Sequence, residues 1–508
     1  MMIRRQLLQA LAVLGGGASL TAPAAARPAA AADFAAAVAR QPLLTPFKGV
    51  TDTTGERFTE RLATRGRWPA ALAGRFYRNG PALYERNGER YHHWFDGDGM
   101  VQQFTLAGGH RAGQVTHRGR LVRTAKLQAE SRAGRFLMNA FGTAIGDGPP
   151  GTSPDSFNPA NTNALEHAGR VLAMWEGGSA YGLDPSDLST QGPVVWREDL
   201  AQVPFSAHPK LDPQGHLWNI GTSGPRIVAW HIDPQGALVR VQVGELPYAG
   251  GLVHDLAVTE RYLVVPLPPV QLNFNAPVGD GPRRFALQTG QPLRVLVMDK
   301  ADIGNRRVFE LPPQSVFHVG NAHETADGEV VLSYVGAPDA WFLDVGAVAL
   351  MKGQAATGGA SSTHIARLDM ATGRASTQSL DDTVEFPRID PRRIGLRARW
   401  LLSAASWTAE HRRSDALLHG LQLRDTQGGE VRRFDYGAHV VVEEHVMVPK
   451  PGQRGELDAW LLGTTFDSRA QVTVLNLLDA AGIEDGPIAQ ATLPYVLPLG
   501  FHGNFTEA

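Results

Sequence analysis

Four stretches decide the fold: NTNALEHAGRVLAMWEGG at 161–178, AHPKLDPQGHLWNIGTSG at 207–224, VHDLAVTERYLVVPLPPV at 253–270 and FHVGNAHETADGEVVLSY at 317–334. Each runs from a polar or histidine residue through a short strand and a turn (HAG, DPQG, TER, ADG) into a second, apolar strand. Other apolar runs bounded by turn residues, such as AWLLGTTF at 459–466, continue the pattern, and 56 Gly with 34 Pro leave few long helical periods. Hairpins repeated over several hundred residues predict an all-β fold, a propeller or another repeated β architecture. Seven blades of about 45 residues would use about 315, which leaves chain for long loops that roof one face.

In three of the four units a histidine stands just before the first strand: His208, His254 and His318, 46 and 64 residues apart. If the units are successive blades, equivalent positions lie at equivalent radii and the three imidazoles converge, as a metal would require. Spacing alone leaves an equal reading, in which they are strand-end histidines held by hydrogen bonds. The chain has 17 His and no Cys, which excludes disulfides, thiolate metal sites and cysteine nucleophiles. An all-imidazole site without thiolates points to Fe(II) or Zn. HETAD at His323 lacks the second histidine of a zinc-protease HExxH motif.

Lys+Arg number 48 against 50 Asp+Glu, a formal net charge of −2, so no global positive field draws nucleic acid. Hydrophobic residues at 43% and charged residues at 19% belong to an ordered globular chain. Residues 1–26 read as an export signal: Arg4 and Arg5, an apolar run from Leu7 to Leu20, and small residues at Ala24, Ala25 and Ala26. The arginine pair followed by Leu7 and Leu8 resembles a twin-arginine signal, which delivers folded protein to the periplasm; an ordinary secretory signal is the alternative. Residues 27–43 read as an Ala-rich linker and 44–508 as the folded domain. No later stretch reaches the roughly 18 uninterrupted apolar residues of a membrane span, which leaves at most peripheral contact with a membrane.

Seven motifs then coincide in order: FYRNGPALYERNGERYHHWFDGDGMVQQF at 76–104, NTN at 161–163, AHPK, VHDLAVTERYLVV, FHVGNAHE, VEFPRID around Glu385 and PLGFHGNF around His502. Together they resemble the carotenoid cleavage oxygenases, a family that includes carotenoid-, apocarotenoid- and stilbene-cleaving enzymes. The resemblance implies a seven-bladed β-propeller with a loop and helix dome over one face. It also implies one non-haem Fe(II) per chain, held by His208, His254, His318 and His502. Three glutamates behind the histidines, Glu176, Glu385 and Glu444, are implied as acceptors of the imidazole N–H, fixing tautomer and ring orientation. Glu443 is adjacent to Glu444, and strand alternation puts only one of the two on the inner face; spacing to Val446, Val448 and Pro449 favours Glu444. Here EHVMVP departs from the family's Glu-Pro-x-Phe-x-Pro, with His445 in place of a proline and Met447 of an aromatic.

The implied reaction is scission of a conjugated C=C bond by O2 into two carbonyl products, with no protein acid, base or nucleophile beyond the metal centre. A carotenoid or apocarotenoid ranks first as substrate. The alternative is a lignin-derived 4-hydroxystilbene, for which Tyr91 and Lys126 fall roughly where stilbene cleavers hold a phenol; their structural reading is a Tyr packed in a hairpin and a solvated Lys. A third reading is a non-catalytic propeller scaffold with a structural metal. His92, His93 and the turn Asp96, Gly97, Asp98, Gly99 imitate a calcium loop but lack its remaining ligands, so a structural hairpin turn is expected. Arg78, Asn79, Gly80 and Pro81 read as a turn organising the first blade. AWFLDVGAVALM at 340–351 reads as tunnel lining, a membrane-touching patch or plain core.

Overall fold

The four repeat units are the inner hairpins of four successive blades. The computed structural model describes residues 29–52, 55–145, 152–247, 251–273, 285–354, 356–380, 383–407 and 417–508. The second blade begins with Asn163–His167 and Arg170–Met174, and the third with Lys210–Leu211 and Leu217–Ser223. Ala257–Val258 and Tyr262–Leu267 open the fourth, Ser315–Glu324 and Glu329–Ala337 the fifth. Two further antiparallel strands complete each of these sheets. The sixth blade runs from Val384–Arg388 to Val431–Asp435, and the seventh starts at Val440–Pro449.

The chain ends lock the ring. His502–Glu507 pairs with Gly74–Leu83 as the innermost strand of the first blade, while Ala63–Gly66 adds to the outer edge of the seventh. Seven apolar clusters fill the seven blade interfaces. Tyr77 and Val171 lie between the first and second blades, Leu172 and Trp230 between the second and third, and Ile220 and Leu296 between the third and fourth. Val297 with Leu332, Val335 with Ala405, Leu421 with Leu461, and Leu462 with Phe104 carry the series round to the first blade. Each buried Val, Leu or Phe contributes about 1.5–3 kcal/mol, so closure rests on many equivalent contacts rather than on the centre.

A dome covers one end of the ring. Helix Ala31–Arg40, the 3-10 turns Pro42–Lys48 and Trp94–Asp96, helix Ala125–Ala133 and the helical stretch from Phe342 to Met351 form it. Phe34, Val38, Phe47, Trp94 and Leu350 pack there against Val441, Phe466 and Phe501. The expected linker over 27–43 is therefore corrected from Ala31 onward: Phe34 and Val38, four residues apart, give the Ala-rich helix one apolar face that docks in the dome. The export signal lies outside the described residues. No described helix is long and apolar enough to cross a membrane.

Two expected turns also differ. Arg78 to Pro81 lie within strand Gly74–Leu83 rather than in a turn, flanked on both sides by paired strands. The DGDG segment is structural as read, but not a hairpin turn. Asp96 closes a short 3-10 turn, accepting from Gly142 N at 2.7 Å and Thr143 Oγ1 at 2.6 Å, and Asp98 starts the next strand.

Candidate metal centre

Four histidines meet on the propeller axis. His208 and His254 precede the inner strands of the third and fourth blades, His318 lies in that of the fifth, and His502 begins the inner strand of the first. Their ligand atoms all lie within 4.8 Å of one another, and all four residues are buried. Nε2 of His208 is 2.9 Å from Nε2 of His254, and Nε2 of His318 is 3.1 Å from that of His502.

The far nitrogens face the expected glutamates. Nδ1 of His318 donates to Glu385 and Nδ1 of His502 to Glu444 Oε1, the latter at 2.9 Å. Glu176 touches Nδ1 of His254, off the N–H direction. Among the described residues His208 has no such partner: the nearest carboxylate, Asp255, lies 3.8 Å from its Nδ1 and is held instead by Lys210 at 2.9 Å and by the N–H groups of Leu256 and Val319.

This donor set fits a divalent cation. When both rings are neutral and give Nδ1–H to a carboxylate, His318 and His502 keep their lone pairs on Nε2, and these face each other at 3.1 Å. Such a contact is repulsive unless a cation sits against both. The spacing matches two ligands at right angles with metal–imidazole bonds of about 2.1 Å, as in zinc–imidazole bonds. Burial, reinforced by the three other imidazoles, holds the His208 pKa well below its ordinary value, and burial brings His502 to about 4. His208 and His502 are thus lone-pair donors at neutral pH; at His318 burial is outweighed by the Glu385 carboxylate, which raises its pKa, so that a cation on its Nε2 displaces a proton.

Local backbone irregularities aim the carboxylates. The pairing shifts between Glu385 and Arg388, and Phe386 between them has a left-handed φ of 57°. That bulge turns Glu385 to His318 and Arg388 to Glu444, and sets the Phe386 ring against His318 at 5.4 Å. A second bulge, between Val442 and His445, overturns the simple alternation expected at Glu443 and Glu444. Both are buried: Glu444 receives Gly503 N of the last strand at 2.8 Å, and Glu443 receives Gly500 N, just before that strand, at 2.7 Å. Gly463 makes this bulge feasible, since a Cβ there would collide with the His445 ring and the Glu444 carbonyl. Glu443 pairs with buried Arg78, an anchor that the turn reading of Arg78 missed.

Two cavities flank the imidazole quartet. On the dome side a space of about 380 Å³ is walled by Trp94, Phe95, Phe141, Phe317, Trp341 and Phe342 and floored by His254, His318 and His502. Among its described lining residues there is no Lys, Arg or Tyr. The stretch 340–351 thus serves as cavity wall through Trp341, Phe342 and Leu343, and as core through Ala347 to Met351. On the opposite face a second space of about 440 Å³ reaches His208, His318 and His502 past Lys210, Asp255 and Arg388.

Tyr91 and Lys126 are not on either wall. Lys126, read as solvated, is 1% exposed; its Nζ donates to Tyr91 Oη at 2.9 Å, Asp98 Oδ1 at 2.8 Å and Glu130 Oε2 at 3.2 Å. Burial disfavours its charge, yet Asp98, Tyr91 and Glu130 outweigh that and raise its pKa. Phe136 covers Tyr91 with ring centroids 4.0 Å apart. The charge cluster ties helix Ala125–Ala133 to Asp98 at the start of a first-blade strand. His93 is structural too: Nδ1 accepts from Phe95 N at 3.0 Å and Nε2 meets Leu343 O at 2.8 Å.

The supporting role of the carboxylates is directly measurable. Glu385→Gln keeps the shape but removes the charge behind His318, so metal affinity is expected to fall about 10- to 100-fold. Titration of the metal-free protein with Co(II), followed by absorption, reads this; unchanged affinity would remove Glu385 from the account.

Comparison with known proteins gives a consistent picture. A sequence model of the family described as RPE65, retinal pigment epithelial membrane protein, matches residues 50–507. Apocarotenoid-15,15'-oxygenase of Synechocystis sp. is 28% identical over 477 residues, covering 87% of this chain and 92% of that protein. Lignostilbene-alpha,beta-dioxygenase isozyme III of Sphingomonas paucimobilis is 28% identical over 473 residues, covering 88% and 94%. The crystal structure of cobalt-substituted Synechocystis apocarotenoid oxygenase aligns with a TM-score of 0.81 at 25% identity over 92% of this chain and 99% of that one. For Pseudomonas brassicacearum lignostilbene dioxygenase the TM-score is 0.78 at 25% identity, over 89% and 96%.

Proposed function

Since the chain belongs to the RPE65/carotenoid cleavage oxygenase family, we propose that it is a non-haem Fe(II) dioxygenase that cleaves a C=C bond of a carotenoid or apocarotenoid into two carbonyl products. The observation that carries this reading is the buried four-histidine quartet opening onto an aromatic cavity. His208, His254, His318 and His502 would hold one Fe(II) per chain, oriented by Glu176, Glu385 and Glu444. Bound there, the metal supplies the electron density with which O2 is activated against an electron-rich double bond. The protein's own part is to hold one bond of an apolar chain beside the quartet: Phe317, stacked on His254 at 3.9 Å, and Phe386 border the reacting position. The aromatic wall also keeps bulk water away.

The aromatic side chains along the described cavity wall, Trp94, Phe95, Phe141, Phe317, Trp341 and Phe342, support an extended apolar polyene as the substrate. The test is aerobic turnover of the Fe(II)-loaded protein with an apocarotenal and a 4-hydroxystilbene side by side, products read by mass spectrometry. Cleavage of the apocarotenal is expected. Aldehydes from the stilbene alone would transfer the assignment to stilbene catabolism and require Tyr91 and Lys126 to turn toward the cavity. Purified protein without a metal in the quartet would favour the non-catalytic scaffold.

Export to the periplasm by the twin-arginine route belongs to the same proposal, because it moves folded protein and so lets the cage fill in the reducing cytoplasm. Changing Arg4 and Arg5 together to Lys is expected to abolish periplasmic delivery; undiminished delivery would contradict it. Peripheral contact with a membrane fits an apolar substrate, and the net charge of −2 argues against a nucleic-acid partner.

A further inference from the structure

Of the three carboxylates behind the histidines, only Glu444 carries a fixed cation. Arg388 Nε and Nη2 donate to its Oε1 and Oε2, each at 2.8 Å, and Nη2 also donates to Gly503 O at 2.8 Å. Glu444 in turn accepts from His502 Nδ1. Among the described residues Glu176 and Glu385 form ion pairs with histidine only, Glu385 also accepting from Phe386 N at 2.7 Å. The other nearby carboxylate, Asp255, is offset by Lys210.

This makes a charge count for the cage. Four neutral imidazoles contribute nothing, three carboxylates contribute −3 and Arg388 returns +1, so the cage stands at −2. A divalent ion neutralises it, and a trivalent ion leaves one uncompensated positive charge in a buried site. We infer that Arg388 sets the charge of the cage, biasing bound iron toward the ferrous state, in addition to positioning Glu444. The step concerned is one-electron reduction of Fe(III) to Fe(II) within an unchanged ligand set, with no proton or ligand exchanged. Without the guanidinium charge the cage carries −3, the ferric form is favoured, and the reduction potential falls.

The inference rests on the reading of the metal as iron. It is tested by poising iron-loaded protein at fixed potentials with mediators and an electrode as electron source, the ferric fraction being read by electron paramagnetic resonance. Arg388→Gln is expected to lower the Fe(II)/Fe(III) ratio at a given potential about tenfold or more, 59 mV for a one-electron couple. Arg388→Lys, which keeps the charge but not the fork, is expected to stay near the wild type. Glu444→Gln should move the ratio in the opposite direction. Equal shifts in the Gln and Lys variants, or no shift in Arg388→Gln, would overturn the inference while leaving the iron reading intact. If Arg388→Gln does not retain iron, Glu444→Gln decides: a raised ratio supports the inference and an unchanged or lowered one overturns it. Wild-type protein with no iron couple in the quartet would overturn both together.

Discussion

His254→Ala is expected to empty the metal site and abolish turnover while leaving the propeller folded. His254 supplies one of four nitrogens, and its Nε2, 2.9 Å from that of His208, helps define the corner in which a cation is held. Its loss leaves three imidazoles, one of them, His208, without a hydrogen bond from Nδ1 to a carboxylate. The resulting loss of affinity exceeds the about 10- to 100-fold change of a supporting residue. Metal content should fall from one per chain to less than about a tenth, with no detectable product. The fold should survive, because the interface between the third and fourth blades is built from Ile220, Ile227, Val258, Leu263 and Leu296, without His254. Circular dichroism and a melting curve check the second half of the expectation. As a control, His216→Ala, in an outlying pair with His231, should retain the metal. Full metal content and activity in His254→Ala would refute the ligand assignment.

Arg78→Met is expected to cost about 3–5 kcal/mol of folding stability, the usual penalty for removing one partner of a buried ion pair. Arg78 is 2% exposed and Glu443 5%, and their contact ties the first blade to the seventh at the ring's closure. Thr464 Oγ1 at 2.5 Å and Gly500 N at 2.7 Å are the neutral donors left to Glu443 when the guanidinium is gone. Burial already raises the Glu443 pKa above its ordinary 4.5 despite Arg78, and losing the cation raises it further. A carboxyl whose folded pKa is raised favours folding below its unfolded pKa and opposes it as pH climbs through the folded value. The deficit of Arg78→Met should therefore be smallest near pH 4 and grow toward neutrality. Adding Glu443→Gln should recover most of it at neutral pH, since no uncompensated charge remains. Denaturant unfolding at several pH values measures both; a neutral-pH loss below about 1 kcal/mol would mean that the pair is not a closure element.

These two residues also mark how far the sequence could be read. The repeat exposed the second to fifth blades, whose inner hairpins share a histidine or polar residue, a turn and an apolar strand. It could not reach the sixth and seventh, where the site residues are Glu385 and Glu444, nor the first, whose inner strand comes from the chain's far end. His502 was accordingly legible only through the family motif. Arg78 was hidden because its partner Glu443 is distant in sequence and exposed to the site only by a β-bulge, which breaks the period-two rule. Arg388 lay in plain view three residues after Glu385, but its function depends on the bulge at Phe386. Tyr91 and Lys126 illustrate the reverse error: their order along the chain resembles that of phenol-binding residues, yet Asp98 and Glu130 draw Lys126 into a closed charge cluster. The Ala-rich stretch before Leu44 was underestimated because two apolar residues, Phe34 and Val38, suffice to dock a short helix on an existing dome.

The central claim is that the four-histidine centre delivers both atoms of O2 across one double bond. It is tested most directly by turning over an apocarotenal with the Fe(II)-loaded protein under heavy-isotope O2, trapping the aldehydes by rapid reduction before they exchange with water, and weighing both products. The account predicts one heavy oxygen in each product, and none in either with His254→Ala. Label in only one product, or cleavage that proceeds without O2, would contradict it.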